Sequence, residues 1–307
     1  MENNIYDLAI LGAGPAGICA AIYATRAKLN TIWLDRKFVQ GGQIVDTYEV
    51  DNYPGLPGIT GLDLGEAMAG HAEKLGLKPK RELVISVADE GEIKVIRTKK
   101  NEYHARAVII ACGATHRHLG IPGEEELGGM GVSYCATCDA AFFQEGTVAV
   151  VGGGNVAVED VILLSRTCKK VYLVHRRDEL RAEKILQDSL FACHNVELVW
   201  DSVPVSVEGE DKVTALKVRN VKTDEEKEIP VDGVFIAVGI VPGSGKFKDL
   251  VKMDESGYII AGEDGVTSTP GIFAAGDIRT KNLRQVVTAV ADGANAVASV
   301  QRYLMES

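Results

Sequence analysis

The sequence lacks the features that mark several large classes of protein. Among its 307 residues, no stretch approaches the roughly 18 apolar residues of a membrane-spanning helix. No basic run stands out that would form a nucleic-acid surface. The opening residues, MENNIYDLAILGAG, have no basic segment and only a short apolar run, unlike a secretory signal. With a formal net charge of −10, these absences predict a cytoplasmic protein that binds neither membranes nor nucleic acid.

Cysteine is also sparse. Six cysteines are too few for a disulfide scaffold in a chain of this length. Two of them, Cys135 and Cys138, form a CxxC pair in the stretch SYCATCDA, with Asp139 directly behind. In a reducing compartment, such a pair is more often catalytic or metal-binding than structural.

Glycine, by contrast, is clustered in two similar turns. Near the N-terminus, IYDLAIL (5–11) predicts a buried strand, GAGPAG a turn, CAAIYATRAK a helix, and TIWLD (31–35) a second strand. This is the context that the dinucleotide-binding fingerprint requires, with Gly12, Gly14 and Gly17 at its glycine positions. Asp35 lies 35 − 12 = 23 positions after the first glycine, where a carboxylate can accept hydrogen bonds from ribose hydroxyls.

The same pattern recurs in the middle of the chain. TVAVV (147–151) predicts a strand, GGGNVA a turn with Gly152 and Gly154 at the fingerprint positions, VEDVILLSR a helix, and KVYLV (170–174) a strand. His175 lies 175 − 152 = 23 positions after Gly152, at the place that Asp35 occupies in the first pattern. The chain therefore resembles an internal repeat of one βαβ design.

The second pattern ends in cations instead of an anion. Arg176 and Arg177 follow His175, and Arg181 is expected one helical turn later. Guanidinium groups suit phosphate oxygens, so this cluster predicts a site for NADP(H), whose adenosine carries a 2′-phosphate. The alternative interpretation of this cluster is a solvent-exposed, charged helix without a binding role. Two dinucleotide sites in one chain indicate electron transfer between a bound flavin and a diffusible nicotinamide.

The chain is expected to cross between two domains and return. ARAVIIACGAT and DGVFIAVGI both predict apolar strands that end in small-residue turns, and they bracket the second glycine turn. We therefore predict an α/β protein with two Rossmann-like, three-layer domains. The NADPH domain (115–243), which carries the CxxC pair, would be inserted into a discontinuous FAD domain (1–114 and 244–307).

The C-terminal segment predicts a second part of the flavin site. TPGIFAAGDI reads as a strand that ends in Gly276-Asp277, and an alanine-rich amphipathic helix starts near Arg284 and Gln285. Asp277 is placed to hold a cofactor hydroxyl, although such a residue is more often a helix cap. The helix N-terminus would favour negative charge on a reduced flavin.

The CxxC pair has three possible roles: a zinc site, a permanent disulfide or a reversible dithiol. A zinc site needs two further ligands, and the one candidate, Cys193-His194, offers adjacent residues that suit a tetrahedron poorly. A permanent disulfide would close a very small loop and stabilise little. A reversible dithiol is favoured, because CxxC geometry lowers one thiol pKa and generates the attacking thiolate. Asp139 could then move the proton that exchange requires, or act as a helix N-cap.

Several stretches together resemble one family. They are GAGPAG, GGQI, VDNYPG, CATCDA, the second glycine turn, HRRDELRAEKIL, and GDI followed by RQVVTA. CATCD together with HRRxxxRA is highly specific. The resemblance is to the low-molecular-weight bacterial thioredoxin reductases, class II of the pyridine nucleotide-disulfide oxidoreductases, and it covers essentially the whole chain. It implies an enzyme that passes electrons from NADPH through FAD and a cysteine pair to thioredoxin.

The resemblance also implies the roles of individual residues. The residues that would line FAD are Gly12, Gly14, Gly17, Asp35, Gln43, Asn52, Asp277, Arg284, Gln285 and Val286. The residues that would hold NADPH are Gly152, Gly154, His175, Arg176, Arg177 and Arg181. Cys135, Cys138 and Asp139 would carry the disulfide chemistry, with Cys138 facing the flavin and Cys135 attacking the partner. No metal site is expected.

Members of this family are usually homodimers, and they rotate the nicotinamide domain so that NADPH and the cysteine pair meet the flavin in turn. One departure from the family pattern leaves other functions possible. Asn155-Val156 stands where relatives often have Asp-Ser or Asn-Ser, so a hydroxyl is missing from the nicotinamide site. The alternatives are a ferredoxin-fed thioredoxin reductase, a FAD-dependent dithiol oxidase that uses oxygen, and a zinc-binding redox sensor without turnover.

Overall fold

The structure is a computed structural model that describes residues 5–47 and 49–306. The first four residues, part of the segment in which no secretory signal was expected, lie outside the described residues. The chain divides into two compact units. Unit 1 comprises Met1–Thr115 and Val241–Ser307, and unit 2 comprises His116–Ile240.

Both units contain strands and helices. The strands are β1 Ile5–Leu11, β2 Thr31–Asp35, β3 Lys80–Arg81, β4 Val84–Glu90, β5 Ile93–Thr98, β6 Glu102–Ile110, β7 Ala114–His116, β8 Val132–Ser133, β9 Thr147–Gly152, β10 Lys170–Val174, β11 Val196–Val199, β12 Ser202–Glu208, β13 Ala215–Asn220, β14 Glu226–Pro230, β15 Gly233–Ala237, β16 Ile240–Pro242 and β17 Ile272–Ala274. The helices are α1 Pro15–Arg26, α2 Gly61–Lys74, α3 Ala136–Asp139, α4 Asn155–Leu164, α5 Lys184–Phe191 and α6 Val286–Glu306.

Unit 1 is built on a seven-stranded sheet in the order β3-β2-β1-β6-β5-β4, with β17 also paired to β6. The strand β6 is long enough to have two neighbours on one side. Its first half pairs with β5 in antiparallel fashion, and its last three residues pair with β17 in parallel. This arrangement places the C-terminal strand β17 one strand away from β1, which precedes the first glycine turn, so the sheet draws on both ends of the chain.

Small residues allow helices α1 and α6 to pack closely in unit 1. A side chain at Gly293 of α6 would collide with the backbone oxygen of Ala16 in α1. The buried core on this face of the sheet is rich in alanine around Trp33. A second buried cluster, which includes Phe247 and Ile259, covers the opposite face. The unit therefore has three layers, as Rossmann-like folds do.

Unit 2 repeats the design on a smaller scale. Its parallel sheet has the order β11-β10-β9-β15-β8, and the helices α4 and α5 pack on one face of it. The antiparallel strands β12, β13 and β14 contribute Val207, Leu216 and Ile229, respectively, to the buried cluster on the other face. The predicted α/β fold with two Rossmann-like domains is confirmed.

The two crossing segments pair with each other, since β7 and β16 form a two-stranded sheet. The structure divides the chain after residues 115 and 240, whereas the sequence-based boundaries lie after 114 and 243. Within the described residues, no helix has the length and apolar character needed to cross a membrane.

Candidate active site

The first glycine turn joins β1 to α1 in unit 1. Gly12 has φ +111°, and a Cβ there would collide with the carbonyl oxygen of Ala111. A Cβ at Gly17 would collide with the carbonyl oxygen of Gly12. Glycine is therefore required at both positions. Gly14 caps α1, whose first residue is Pro15, so the unpaired N–H groups of the first turn are available to a phosphate.

Asp35 ends β2 and braces this turn. Its carboxylate accepts hydrogen bonds from the backbone N–H groups of Ala13, at 2.5 Å, and Lys37, at 2.6 Å. The sequence-based prediction placed a ribose-binding carboxylate here. Each carboxylate oxygen can accept more than one hydrogen bond, so the two backbone contacts leave acceptor capacity for a ribose hydroxyl.

Residues from the two ends of the chain meet in unit 1. The side-chain amide of Asn52 donates a hydrogen bond to Oε1 of Gln285, at 3.0 Å. Gln285 directly precedes α6, which begins at Val286, and its backbone N–H is capped by the hydroxyl of Thr288. Gln43 directly precedes the 3-10 turn Ile44–Asp46. Asn52 and Gln285, predicted separately as FAD residues, are thus in direct contact.

Two buried polar atoms in unit 1 have no hydrogen-bond partner among the described residues. They are Oδ1 of Asp277 and Nε of Arg284. Burial raises the pKa of the Asp277 carboxyl group, and the nearby charges of Lys281 and Arg284 lower it in part. The Arg284 guanidinium lies over the Tyr258 ring, 4.0 Å from its centroid. Because buried polar groups are rarely left unpaired, these atoms indicate a bound ligand with matching polar groups.

A buried ion pair that the sequence reasoning missed supports this region. The Asp292 carboxylate accepts two hydrogen bonds from Arg279, at 2.6 and 2.8 Å, and one from Lys281, at 2.9 Å. It also accepts the backbone N–H of Gly276, at 2.9 Å, which directly precedes Asp277. In the sequence, this ion pair could have been predicted from Asp292, an acidic residue on the apolar face of α6 between Ala289 and Ala296.

The second glycine turn joins β9 to α4 in unit 2. Gly154 caps α4, which begins at Asn155. The Asn155 side chain exchanges hydrogen bonds with Glu183, accepting its backbone N–H at 2.9 Å and donating to its carboxylate at 3.2 Å. The Asn155 side chain therefore attaches the glycine turn to the segment just before α5, while the hydroxyl missing from the family pattern belongs to position Val156.

His175 packs directly on this turn. A Cβ at Gly153 would collide with its imidazole ring, and the ring is 5% exposed. Its Nε2 atom is buried without a hydrogen-bond partner among the described residues. Burial lowers the pKa of His175, and the charge of Arg181 lowers it further, so the ring is neutral at pH 7.

The segment from His175 to Glu183 is not helical, which corrects the expectation that Arg181 lies one helical turn after the other arginines. The helix α5 begins only at Lys184. The backbone N–H of Arg181 instead donates to the carbonyl of Gly153, at 2.8 Å, and holds the loop against the glycine turn. Arg176, Arg177 and Arg181 are exposed, and none of them is in an ion pair with another described residue.

The CxxC pair lies at the start of α3. Cys135 caps this short helix, and its sulfur is disulfide-bonded to Cys138, with a Cα–Cα distance of 5.3 Å. The backbone N–H of Cys138 also points to the Cys135 sulfur, at 3.2 Å. This N–H group at the start of α3 is in position to donate to the Cys135 sulfur as a thiolate once the disulfide opens.

Asp139 ends the same short helix. Its carboxylate accepts a hydrogen bond from the hydroxyl of Ser133, at 2.5 Å. Asp139 occupies the N-cap position of the 3-10 turn Ala140–Phe143, but its side chain makes no capping hydrogen bond there, and Cys135 is the cap of α3. Burial raises the pKa of Asp139, while the Ser133 hydrogen bond opposes this shift. A raised pKa lets the carboxyl group carry a proton closer to neutral pH.

Cys193, the further ligand that a zinc site would have used, contacts serines. Its sulfur lies 3.3 Å from the hydroxyl of Ser165 and 3.4 Å from the carbonyl of Ser189. In the part of the chain that the structure describes, no three His, Cys, Asp or Glu side chains are grouped to hold a metal ion.

Two dinucleotide-type turns are present, and one lies in the same unit as a cysteine disulfide followed by a partly buried acid. Together they define a dinucleotide-dependent disulfide oxidoreductase. The sequence model of a family described as "Pyridine nucleotide-disulphide oxidoreductase" matches residues 6–293. The thioredoxin reductase of Listeria innocua is 48% identical over 306 residues, covering 99% of this chain and 96% of its own. The thioredoxin reductase of Bacillus subtilis is 47% identical with the same coverage.

A solved structure gives the same result in three dimensions. The crystal structure of thioredoxin reductase from Streptococcus pyogenes is 45% identical, covers 100% of both chains, and superposes with a TM-score of 0.95. The chain therefore belongs to the pyridine nucleotide-disulphide oxidoreductase family, as a thioredoxin reductase. The resemblance inferred from the sequence motifs is confirmed.

Proposed function

We propose that this chain passes electrons from NADPH, by way of FAD held in unit 1, to the Cys135–Cys138 disulfide, and then to the disulfide of a thioredoxin. Membership of the family implies a flavin and a nicotinamide cofactor. The observation that carries the proposal is the Cys135–Cys138 disulfide at the start of α3, followed by the partly buried acid Asp139.

The residues of unit 1 fit FAD. The first glycine turn offers backbone N–H groups to the pyrophosphate, and Asp35 offers carboxylate oxygens to the ribose. The unpartnered Oδ1 of Asp277 and Nε of Arg284 are one acceptor and one donor for polar groups of the cofactor. When bound, FAD accepts a hydride from a nicotinamide and passes two electrons on to a disulfide. The remaining proposed FAD residues are Gly12, Gly14, Gly17, Gln43, Asn52, Gln285 and Val286.

The residues of unit 2 fit NADPH. The second glycine turn, at Gly152 and Gly154, would hold the pyrophosphate. Arg176, Arg177 and Arg181 would then pair with the 2′-phosphate, which distinguishes NADPH from NADH. The absence of ion pairs at these exposed guanidinium groups, among the described residues, supports this role. A ferredoxin-fed reductase or an oxygen-linked oxidase would not need the arginines. The departure that suggested the ferredoxin-fed reductase is the hydroxyl missing at Val156, whereas the neighbouring Asn155 holds Glu183.

The cysteine pair would transfer electrons by thiol–disulfide exchange. When the pair is reduced, the Cys135–Cys138 bond breaks and the two sulfurs take up two electrons and up to two protons. The Cys135 thiolate then attacks one sulfur of the partner disulfide and forms a mixed disulfide, releasing the other partner sulfur as a thiolate. The Cys138 thiolate attacks Cys135, which frees the reduced partner and restores the disulfide. Asp139 would supply a proton to a leaving sulfur and regain it from water.

We also propose that the chain acts as a homodimer in the cytoplasm, where thioredoxins are kept reduced. The family resemblance supports the dimer, and the mass of the purified protein in solution tests it.

Single-cysteine variants test the proposed order of transfer. Cys138→Ser should accumulate a mixed disulfide with oxidised thioredoxin, because the attacking Cys135 then has no resolving partner. Cys135→Ser should trap no partner, and its remaining thiolate beside oxidised flavin should give a long-wavelength absorption band. Both variants should lose turnover with thioredoxin while NADPH still bleaches the flavin in an anaerobic titration.

Cys193→Ser, which removes a cysteine outside the pair, is the matched control and should keep full turnover. Non-reducing electrophoresis detects the mixed disulfide, and visible spectra detect the long-wavelength absorption band. Trapping by Cys135→Ser instead of Cys138→Ser would reverse the assigned order. Retained turnover in both single variants would overturn the relay, and a flavin that NADPH fails to bleach would overturn the choice of donor.

A further inference from the structure

Ser133 makes hydrogen bonds to both Cys135 and Asp139. Its hydroxyl oxygen accepts a hydrogen bond from the backbone N–H of Cys135, at 3.0 Å. The same hydroxyl donates to Oδ2 of Asp139, at 2.5 Å. A hydroxyl has one proton, so donation to Asp139 excludes donation to the Cys135 carbonyl, which lies farther away at 3.4 Å. One side chain thus joins the backbone of the first cysteine to the acid behind the second.

The position of Ser133 in the fold makes this connection rigid. Ser133 is the last residue of β8, pairs with Phe235 of the adjacent parallel strand β15, and is 6% exposed. Among the described residues, it is the sole side-chain partner of the Asp139 carboxyl group. The carboxyl group is therefore held by a group anchored in the sheet, and α3, which ends at Asp139, is only four residues long.

Another buried serine shows that burial by itself does not explain this arrangement. Ser202 in the same unit is 5% exposed, and its hydroxyl donates to the backbone carbonyl of Trp200, two residues away. That contact is local and gives the Ser202 hydroxyl a hydrogen-bond partner without positioning another side chain. Ser133 instead bridges six residues and reaches a carboxyl group next to the disulfide.

We propose that Ser133 is a positioning residue for the proton step of disulfide exchange, holding the Asp139 carboxyl group and the Cys135 backbone in one fixed arrangement. This rests on the proposed role of Asp139 as the acid. When the reduced pair passes its electrons on, the Cys135 thiolate forms a bond to one sulfur of the partner disulfide, the partner S–S bond breaks, and the other partner sulfur leaves as a thiolate. The Asp139 proton passes to that sulfur, and the carboxylate remains bound to the Ser133 hydroxyl until water returns a proton.

The groups around Asp139 determine how its pKa should respond to the loss of the Ser133 hydroxyl. The elements packed against α3 are α4 and the short turn Ala140–Phe143. The titratable residues of α4 are Glu159 and Asp160, both acidic, and the turn has none. The Ser133 hydroxyl favours the ionised form of Asp139 by donating to it. Removing the hydroxyl should therefore raise the pKa of Asp139 and move the corresponding limb of the pH–rate profile to higher pH.

A double-mutant cycle tests the proposal. The variants are Ser133→Ala, Asp139→Asn and the double variant, with Ser202→Ala as the control for losing a buried hydroxyl. The measurement is the anaerobic, stopped-flow reoxidation by thioredoxin of NADPH-reduced protein, across a range of pH. Ser133→Ala should slow this step by roughly 3- to 30-fold, part of the 10²–10⁴ that a general acid contributes. Its addition to Asp139→Asn should cause no further loss.

Three further readings separate positioning from a merely structural role. Ser133→Ala should shift the pH profile, reduce its flavin with NADPH at the normal rate, and unfold thermally like Ser202→Ala. Ser133→Thr, which keeps the hydroxyl, should restore part of the rate. If the rate losses of the single variants multiply in the double variant, or if Ser133→Ala lowers the rate equally at every pH, the proposed role of Ser133 is overturned. The proposed role of Asp139 would not be affected by either result. If Asp139→Asn leaves the step unchanged, Asp139 is not the acid, and both proposals fall.

Discussion

Asp292 is expected to carry much of the stability of unit 1, because it is the shared counter-ion of two buried cations. The side chains of Asp292, Arg279 and Lys281 are each 6% exposed, and the carboxylate lies 2.6 Å from Arg279 and 2.9 Å from Lys281. In Asp292→Asn the shape is kept but the negative charge is lost, which leaves two buried cations without it. Breaking a buried pair in this way costs about 3–5 kcal/mol.

That cost is large compared with the roughly 5–15 kcal/mol that holds a domain folded. In a domain of this size it should lower the unfolding midpoint by about 10 °C, at roughly 2–4 °C per kcal/mol. The change should also weaken FAD binding. The Asp292 carboxylate accepts the backbone N–H of Gly276 and thereby fixes the turn that presents Asp277.

Asp89→Asn is the matched control. Asp89 neutralises Lys94, which is 1% exposed, at 2.6 Å, and no described hydrogen bond or ion pair links this pair to a proposed FAD residue. Thermal unfolding with and without FAD, together with titration of the apoprotein by FAD, separates the two effects. Both variants should unfold earlier, but only Asp292→Asn should bind FAD more weakly. Stability within about 1 kcal/mol of the unmodified protein would refute the reasoning on the buried charges. Equal FAD affinity in the two variants would refute the role of the Gly276 contact.

Two further predictions concern unit 2. Replacing Arg176 and Arg177 by Ala should raise the KM for NADPH far more than that for NADH, since a charge-assisted hydrogen bond contributes roughly 1.5–3 kcal/mol. Steady-state kinetics with both donors checks this, and equal effects would mean that the arginines do not recognise the phosphate. Burial, and then the charge of Glu159, raises the pKa of Asp160 to about 7, so folding favours its protonated form. Stability should therefore be lost as pH rises from the ordinary aspartate range towards 7, and Asp160→Asn should abolish that loss in unfolding midpoints measured against pH.

Local patterns predicted the parts of the fold that depend on near neighbours in the chain. The strands expected at 31–35 and 170–174 occur as Thr31–Asp35 and Lys170–Val174. Each follows the helix of a βαβ unit with a glycine turn, and in the first of these turns a side chain at Gly12 or Gly17 would collide with backbone. Such steric requirements are local, so they are visible in the sequence. The CxxC pair was equally visible, because its spacing alone brings two sulfurs within bonding distance.

Local propensity misjudged the segment from His175 to Glu183. Its residues favour a helix, yet it forms a loop because its hydrogen bonds go elsewhere. The backbone N–H of Arg181 is taken by Gly153, and that of Glu183 by Asn155. Tertiary contacts of this kind override helix propensity, whose differences are below about 1 kcal/mol per residue for ordinary side chains.

The sequence by itself therefore determined the two dinucleotide-type turns, the strands beside them and the cysteine pair, because each follows from sterics or spacing over a few residues. Only the tertiary structure decided which distant side chains meet. Asn52 contacts Gln285 across 233 positions. Asp292 closes on Gly276 and Arg279 from a later helix, and Ser133 holds Asp139 from the end of a strand. Such contacts depend on which strands pair and which helix faces are buried, and burial is what turns an ordinary carboxylate or hydroxyl into a group that must be satisfied.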